Sequence, residues 1–165
     1  MNSLSVLVIA DELAEMQKNP DNWVMPAGNY NNQRYSKLDQ ININNIQKLN
    51  LAWSFSTGVL RGHEGNALVI DDTMYVHTPF PNLVFALDLN NDGAIKWQYQ
   101  PMQSYDETVP VMCCDTVNRG LAYGDGKIFL NQNPIATCFK TNDGKDVHVF
   151  NSLKIIKDKK PHYIP

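Results

Sequence analysis

The sequence predicts an all-β protein with one or two short helices near its start. Two observations carry this. First, runs of β-favouring residues five or six long recur at Ala67–Asp71, Thr73–Thr78, Val84–Leu89 and Ile95–Tyr99, with a shorter one at Ile128–Leu130. Turn formers separate them, Asp71-Asp72 and then Asn90-Asn91-Asp92-Gly93. Second, nine Gly, nine Pro and 10% aromatic residues suit a turn-rich β chain. Short strands at this spacing fit a sandwich, a barrel or a propeller.

The elements follow in order. Residues 1–10, MNSLSVLVIA, are apolar and end in Val8-Ile9-Ala10. They read either as the end of a signal peptide without its charged start, or as an ordinary N-terminal strand or helix start. The rest of the N-terminal region, 11–50, is helical and extended. Asp11 to Lys18 forms a short helix, with acids at its start, Lys18 near its end and Pro20 to stop it. Trp23 to Pro26 runs extended into a Gly/Asn-rich loop, Ala27 to Arg34. Ile43, Ile46 and Leu49, behind an Asn cap, predict a second short helix over Asn42–Leu49. Leu51–Ser56 alternates, with Leu51, Trp53 and Phe55 on one face of a strand.

At 165 residues the chain can bury a core. Fourteen Lys and Arg stand against 17 Asp and Glu, and no basic patch points to nucleic acid. No segment is long and apolar enough to span a bilayer as a helix. The most distinctive stretch is Val109–Tyr123, where adjacent Cys113 and Cys114 precede Arg119 by a few residues. Consecutive α-carbons lie about 3.8 Å apart, below the roughly 4.4 Å that a bridged pair normally needs. A ring closed here is tight, and such strain concentrates where a site uses it. A polarizable sulfur face beside a guanidinium suits a flat, anionic ligand. Two buried thiols and a surface Arg are the plain alternative. Three cysteines leave at least one unpaired within the chain, and a lasting bridge needs an oxidising compartment.

Several stretches together resemble a known family. They are DNWVMPAGNYNNQRYSKLDQIN (21–42), AWSFSTGVLRGHEG (52–65), MYVHTPFPN (74–82), ALDLNNDGAIKW (86–97) and VMCCDTVNRGLAY (111–123). The chain resembles the quinoprotein alcohol dehydrogenases that use pyrroloquinoline quinone (PQQ), most of all the methanol dehydrogenase large subunit. The wording is nearer the lanthanide-using branch than the calcium-using one. The likeness implies an incomplete β-propeller: about two blades of an eight-bladed quinoprotein propeller, being the N-terminal quarter or so of such an enzyme. Within it, Ala86-Leu87-Asp88 … Asp92-Gly93 … Trp97 resembles the tryptophan-docking repeat, whose Trp packs between blades. A poorer copy starts at Ala136, with Cys138 where the Asp is expected and His148 near the missing Trp. The first blades are thus expected over 51–133. Residues 134–165 are expected to be a divergent tail, poorly ordered or badly packed.

The resemblance also assigns roles. Arg119 pairs a PQQ carboxylate, Glu64 contacts the same edge of the ring, and Cys113 and Cys114 form a vicinal disulfide against one face. Asn118 orders the loop around Arg119. His63 and His77 lack the spacing of a metal site. In the family the calcium or lanthanide ion, its ligands and the catalytic Asp lie beyond residue 165, so no catalytic or metal-binding residue is assigned here. The family's activity is oxidation of a primary alcohol such as methanol to an aldehyde, with electrons passed to cytochrome c. A periplasmic location and a homo-oligomer or small-subunit complex go with it. By itself this piece is expected to be inactive and to expose apolar surface. A non-catalytic propeller-type binding module and a decayed gene product are the rival readings.

Overall fold

The computed structural model describes residues 12–112, 115–132, 135–144 and 146–151. They hold two four-stranded antiparallel sheets, each a simple meander. The first sheet takes β1 (Leu68–Ile70), β2 (Thr73–His77), β3 (Val84–Asp88) and β4 (Ala94–Tyr99). The second takes β5 (Leu121–Gly124), β6 (Lys127–Gln132), β7 (Ile135–Lys140) and β8 (Asp146–Asn151). A helical turn at 12–16 (α1) precedes them, and α2 (Tyr105–Thr108) lies between the sheets in sequence. The incomplete propeller is therefore present as two repeats of one blade pattern.

Turn chemistry makes the two repeats alike. The β1–β2 turn places Asp71 at φ 50° and the β5–β6 turn places Asp125 at φ 50°, a region that Asp tolerates better than most residues. Leu89 N donates to Asp72 O in the first sheet, and Thr141 N donates to Gly126 O in the second. The β3–β4 register pairs Ala86 with Trp97, followed by a bulge. The β7–β8 register pairs Cys138 with His148, again followed by a bulge. This corrects the repeat alignment drawn from sequence. Cys138 stands at the place of Ala86, Lys140 at that of Asp88, and His148 at that of Trp97. The second turn is one residue shorter, which hid the match.

The sheets share one apolar core. Val24, Leu68, Ile70, Tyr75, Val84, Ala86 and Trp97 meet Leu121, Ile128 and Leu130. Trp23 adds to the edge of β1 by two backbone hydrogen bonds with Val69, which carries Val24 into that core. Strand β3 is buried on both faces. Val84 and Ala86 face the core, while Phe85 on the opposite face meets Phe55 edge-on at 5.0 Å. The residues around Phe55 thus cover the far side of the first sheet.

That covering segment is the main departure from the predicted elements. Leu51–Ser56 is extended and alternates in exposure, but it forms no strand, because no described strand lies beside it to accept its hydrogen bonds. Trp53 and Phe55 turn inward, while Leu51 stays exposed. The predicted helix over Asn42–Leu49 shrinks to one 3-10 turn, Ile46–Lys48. Its apolar residues find nothing among the described residues to bury against: Ile43 is 91% exposed and Ile46 and Leu49 are exposed too. Leu60 is fully exposed. In the opposite direction, part of the tail expected over 134–165 forms β7, paired to β6 from Lys127↔Lys140 to Gln132↔Ile135, and β8, paired to β7 from Ile135↔Asn151 to Phe139↔Asp146. The rest of that tail, 152–165, and the apolar stretch 1–10 lie outside the described residues. Backbone pairing of β7 to β6, and of β8 to β7, carries these strands although their sequence carries a weak repeat.

Candidate functional site

The site residues gather at one end of the two sheets. Residues 61–65 lead into β1 and residues 115–119 lead into β5. An isolated parallel bridge, Asn66↔Gly120, joins the two approaches just before each first strand. Glu64 and Arg119, far apart in sequence, are thereby brought together: Arg119 Nε lies 3.6 Å from Glu64 Oε2. A second pair crosses the same gap, with Arg61 Nη1 at 3.3 Å from Asp115 Oδ1.

Exposure decides what these pairs do. The Arg119 side chain is 72% exposed and that of Glu64 52%. Ion pairs this wet are worth about 0–1 kcal/mol, too little to fix two loops. The loops are held from beneath by buried polar groups. Asn118 makes four hydrogen bonds: its Oδ1 accepts from Gly120 N, its Nδ2 donates to Asn82 Oδ1 and Asn131 O, and its carbonyl accepts from His77 Nε2. Asn82, itself buried, donates on to Gln103 Oε1 at 2.8 Å. Asn118 therefore orders the Arg119 loop, as its place in the sequence suggests. Asn82 and Gln103 escaped sequence reading, since nothing in a lone Asn or Gln marks a buried network.

His63 turns outward to local partners. Its Nδ1 meets Arg61 O at 2.8 Å and its Nε2 meets Thr57 Oγ1 at 3.1 Å. His77 is buried, and desolvation lowers its pKa below the usual 6.5. No group of three or more His, Cys, Asp or Glu among the described residues could hold a metal ion. Cys113 and Cys114 lie outside the described residues. Thr116, just after them, is buried, and its carbonyl accepts from Phe80 N at 2.9 Å.

The arrangement can receive an anion. Arg119 offers an exposed guanidinium whose Nε side is turned to Glu64, and a planar guanidinium can still present a two-point fork to a carboxylate. Glu64 can accept from a donor on the same ligand. That donor set fits a flat polycarboxylate such as PQQ.

Two repeated four-stranded sheets with these approach loops define a PQQ-type β-propeller, and the comparisons agree. The family of glucose, ethanol and alcohol PQQ dehydrogenase β-propeller domains matches residues 23–146, so the chain belongs to that family. Among curated proteins, it is 57% identical to the lanthanide-dependent methanol dehydrogenase of Methylacidiphilum fumariolicum (strain SolV), over 79% of this chain and 21% of the relative. It is 46% identical to methanol dehydrogenase (cytochrome c) subunit 1 of Methylobacterium organophilum, over 94% of this chain and 28% of the relative. Among solved structures, a europium-containing methanol dehydrogenase matches with a TM-score of 0.81 and 52% identity, over 86% of this chain and 25% of that one. The chain thus spans only about a fifth to a quarter of the length of the proteins it matches.

Proposed function

We propose that this chain supplies one wall of the PQQ site in a dehydrogenase that oxidises a primary alcohol, methanol foremost, to an aldehyde. The observation that carries this is the pairing of Glu64 with Arg119 at 3.6 Å across the two approach loops. Arg119 would anchor a PQQ carboxylate and Glu64 would orient the same edge of the ring. Asn118 would keep Arg119 in place. Cys113 and Cys114, as a vicinal disulfide, would press against one face and keep water from it. PQQ, when bound, supplies the two-electron acceptor for alcohol oxidation. The calcium or lanthanide ion and the proton-accepting group would come from elsewhere in the longer protein. Cytochrome c as electron acceptor, a periplasmic location and assembly with further subunits complete the reading. The identity to lanthanide-dependent and cytochrome c-linked methanol dehydrogenases supports it.

Titrating the chain with PQQ, followed by quenching of tryptophan fluorescence, tests the site. Saturable quenching is expected, with Arg119→Ala raising Kd by at least tenfold, on the order of 1.4 kcal/mol or more. Absence of saturation, or an Arg119→Ala chain that binds as well, overturns the assignment. Intact mass in denaturant after thiol alkylation checks the bridge. Blocked Cys113 and Cys114 that open only with reductant are expected, and three free thiols remove the disulfide from the proposal. No alcohol turnover is expected from this chain alone.

A further inference from the structure

We infer that His77 is a positioning residue for the cofactor edge, setting the separation of Glu64 and Arg119 from beneath; this rests on the PQQ reading of that pair. His77 closes β2, and the antiparallel register of β1 and β2 carries its end to the level of Asn66, where the two approach loops meet. Its ring touches both loops. On one side, a Cβ built on Gly65 would fall 1.8 Å from His77 Cε1 and 2.1 Å from Nε2. Only a glycine lets the backbone lie this close, so the Cε1–Nε2 edge of the imidazole is wedged against the residue that follows Glu64. On the other side, Nε2 lies 3.0 Å from the carbonyl of Asn118, the residue that precedes Arg119. A carbonyl only accepts, so the proton sits on Nε2 and the neutral ring is the Nε2–H tautomer.

One rigid ring therefore spaces the residue after Glu64 from the residue before Arg119. The ring is only 5% exposed, whereas both outer side chains face solvent, so His77 acts through them. The neighbouring Asn66↔Gly120 bridge fixes the strand-ward side of the loops only. The Arg61–Asp115 pair on the other side is half exposed and weak. Without the ring, the Asn118 side chain still ties the Arg119 loop to Asn82 and Asn131, but the stiff spacer between Gly65 and the Asn118 carbonyl is gone.

The test uses the whole 165-residue chain and two substitutions. His77→Gln keeps an N–H donor at the same distance along the side chain. His77→Asn stops one atom short. Two readouts are followed: the Arg119 Nε–H correlation in a 15N-labelled chain without cofactor, and the Kd for PQQ. The wild-type Arg119 signal is expected to stand apart from those of free arginines. His77→Asn should move it to the free position and raise Kd about tenfold, while His77→Gln keeps the signal and stays within about threefold. In an Arg119→Ala background, His77→Asn should add nothing further to Kd. A folded His77→Asn chain with the wild-type Arg119 signal overturns the inference. So does additivity with Arg119→Ala. A His77→Asn chain that fails to fold makes His77 a general core residue and overturns it as well. Failure of PQQ to bind the wild-type chain sinks the functional reading instead, and leaves the Arg119 signal to judge His77.

Discussion

Two tryptophans make the same contact in different circumstances. Trp97 lies in β4, and its ring covers Gly144 in the β7–β8 turn, where a Cβ would come within 2.7 Å of it. Trp53 lies in the extended segment before β1, and its ring covers Gly93 in the β3–β4 turn at the same 2.7 Å. Both glycines have positive φ, 65° and 74°. Trp97 is 9% exposed, donates from Nε1 to Thr141 O at 2.9 Å, and is flanked by Tyr75. Trp53 is half-buried, and its backbone has no described strand beside it. The docking contact is thus a property of ring and turn, while its strength comes from the sheet that presents the ring. Trp53 stands to the first sheet as Trp97 stands to the second, so it occupies the place of a fourth strand.

The largest expected effect follows from that difference. Trp97→Ala should cost about 3–5 kcal/mol in urea unfolding, because it empties the junction of both sheets. Trp53→Ala should cost about 1 kcal/mol, since its segment is already half-solvated. Equal losses would break the comparison and would mean that the extended segment is as firmly held as β4.

The glycines sharpen it next. Gly144→Ala forces a Cβ into a ring that cannot retreat and also strains a left-handed backbone, so about 2–3 kcal/mol is expected. Gly93→Ala carries the same backbone strain, but Trp53 can swing away, and about 1 kcal/mol remains. Melting both variants side by side checks the order, and Gly93→Ala as the more damaging of the two would reverse it.

The smallest effect is read by pH. Tyr75 shares the Thr141 carbonyl with Trp97, and burial pushes its phenol up to about 12. Tyr123, burdened by burial and by Glu12 beside it, is also pushed up to about 12. A phenol whose folded pKa exceeds its unfolded 10 loses no proton first in the folded state. The unfolded chain ionises earlier, so stability is intact below pH 10 and falls as pH rises from 10 towards 12. Phenolate absorbance should show two tyrosines titrating late in that window, and Tyr75→Phe should flatten part of the alkaline loss. Ordinary titration of all seven tyrosines near pH 10 would refute the tight junction.

Much of this was legible in residues close together in the chain. Alternating β-formers and their turns set β1 to β4 to within a residue or two, because period and turn chemistry are local. The stretch from Cys113 to Arg119 marked the second approach loop, and the Gly-rich 62–65 stretch marked the first. Strands β5, β7 and β8 were not legible. Their sequence lacks clean alternation; β5 and β7 exist because β6 offers hydrogen-bonding edges on both sides, and β8 because β7 in turn offers its free edge. The Asn42–Leu49 helix failed for the converse reason: a periodic apolar face means little where no surface receives it. Only tertiary structure could join Glu64 to Arg119 and wedge His77 between the residues beside them. The Glu64–Arg119, His77–Asn118 and Asn66–Gly120 contacts each span 40 residues or more of sequence, and they arise because two repeated sheets start at the same end. By itself the sequence determined which segments can be strands and turns. Packing of one sheet against the next decided which exposed charges became a site, since a contact between distant loops depends on the fold that brings them to one place.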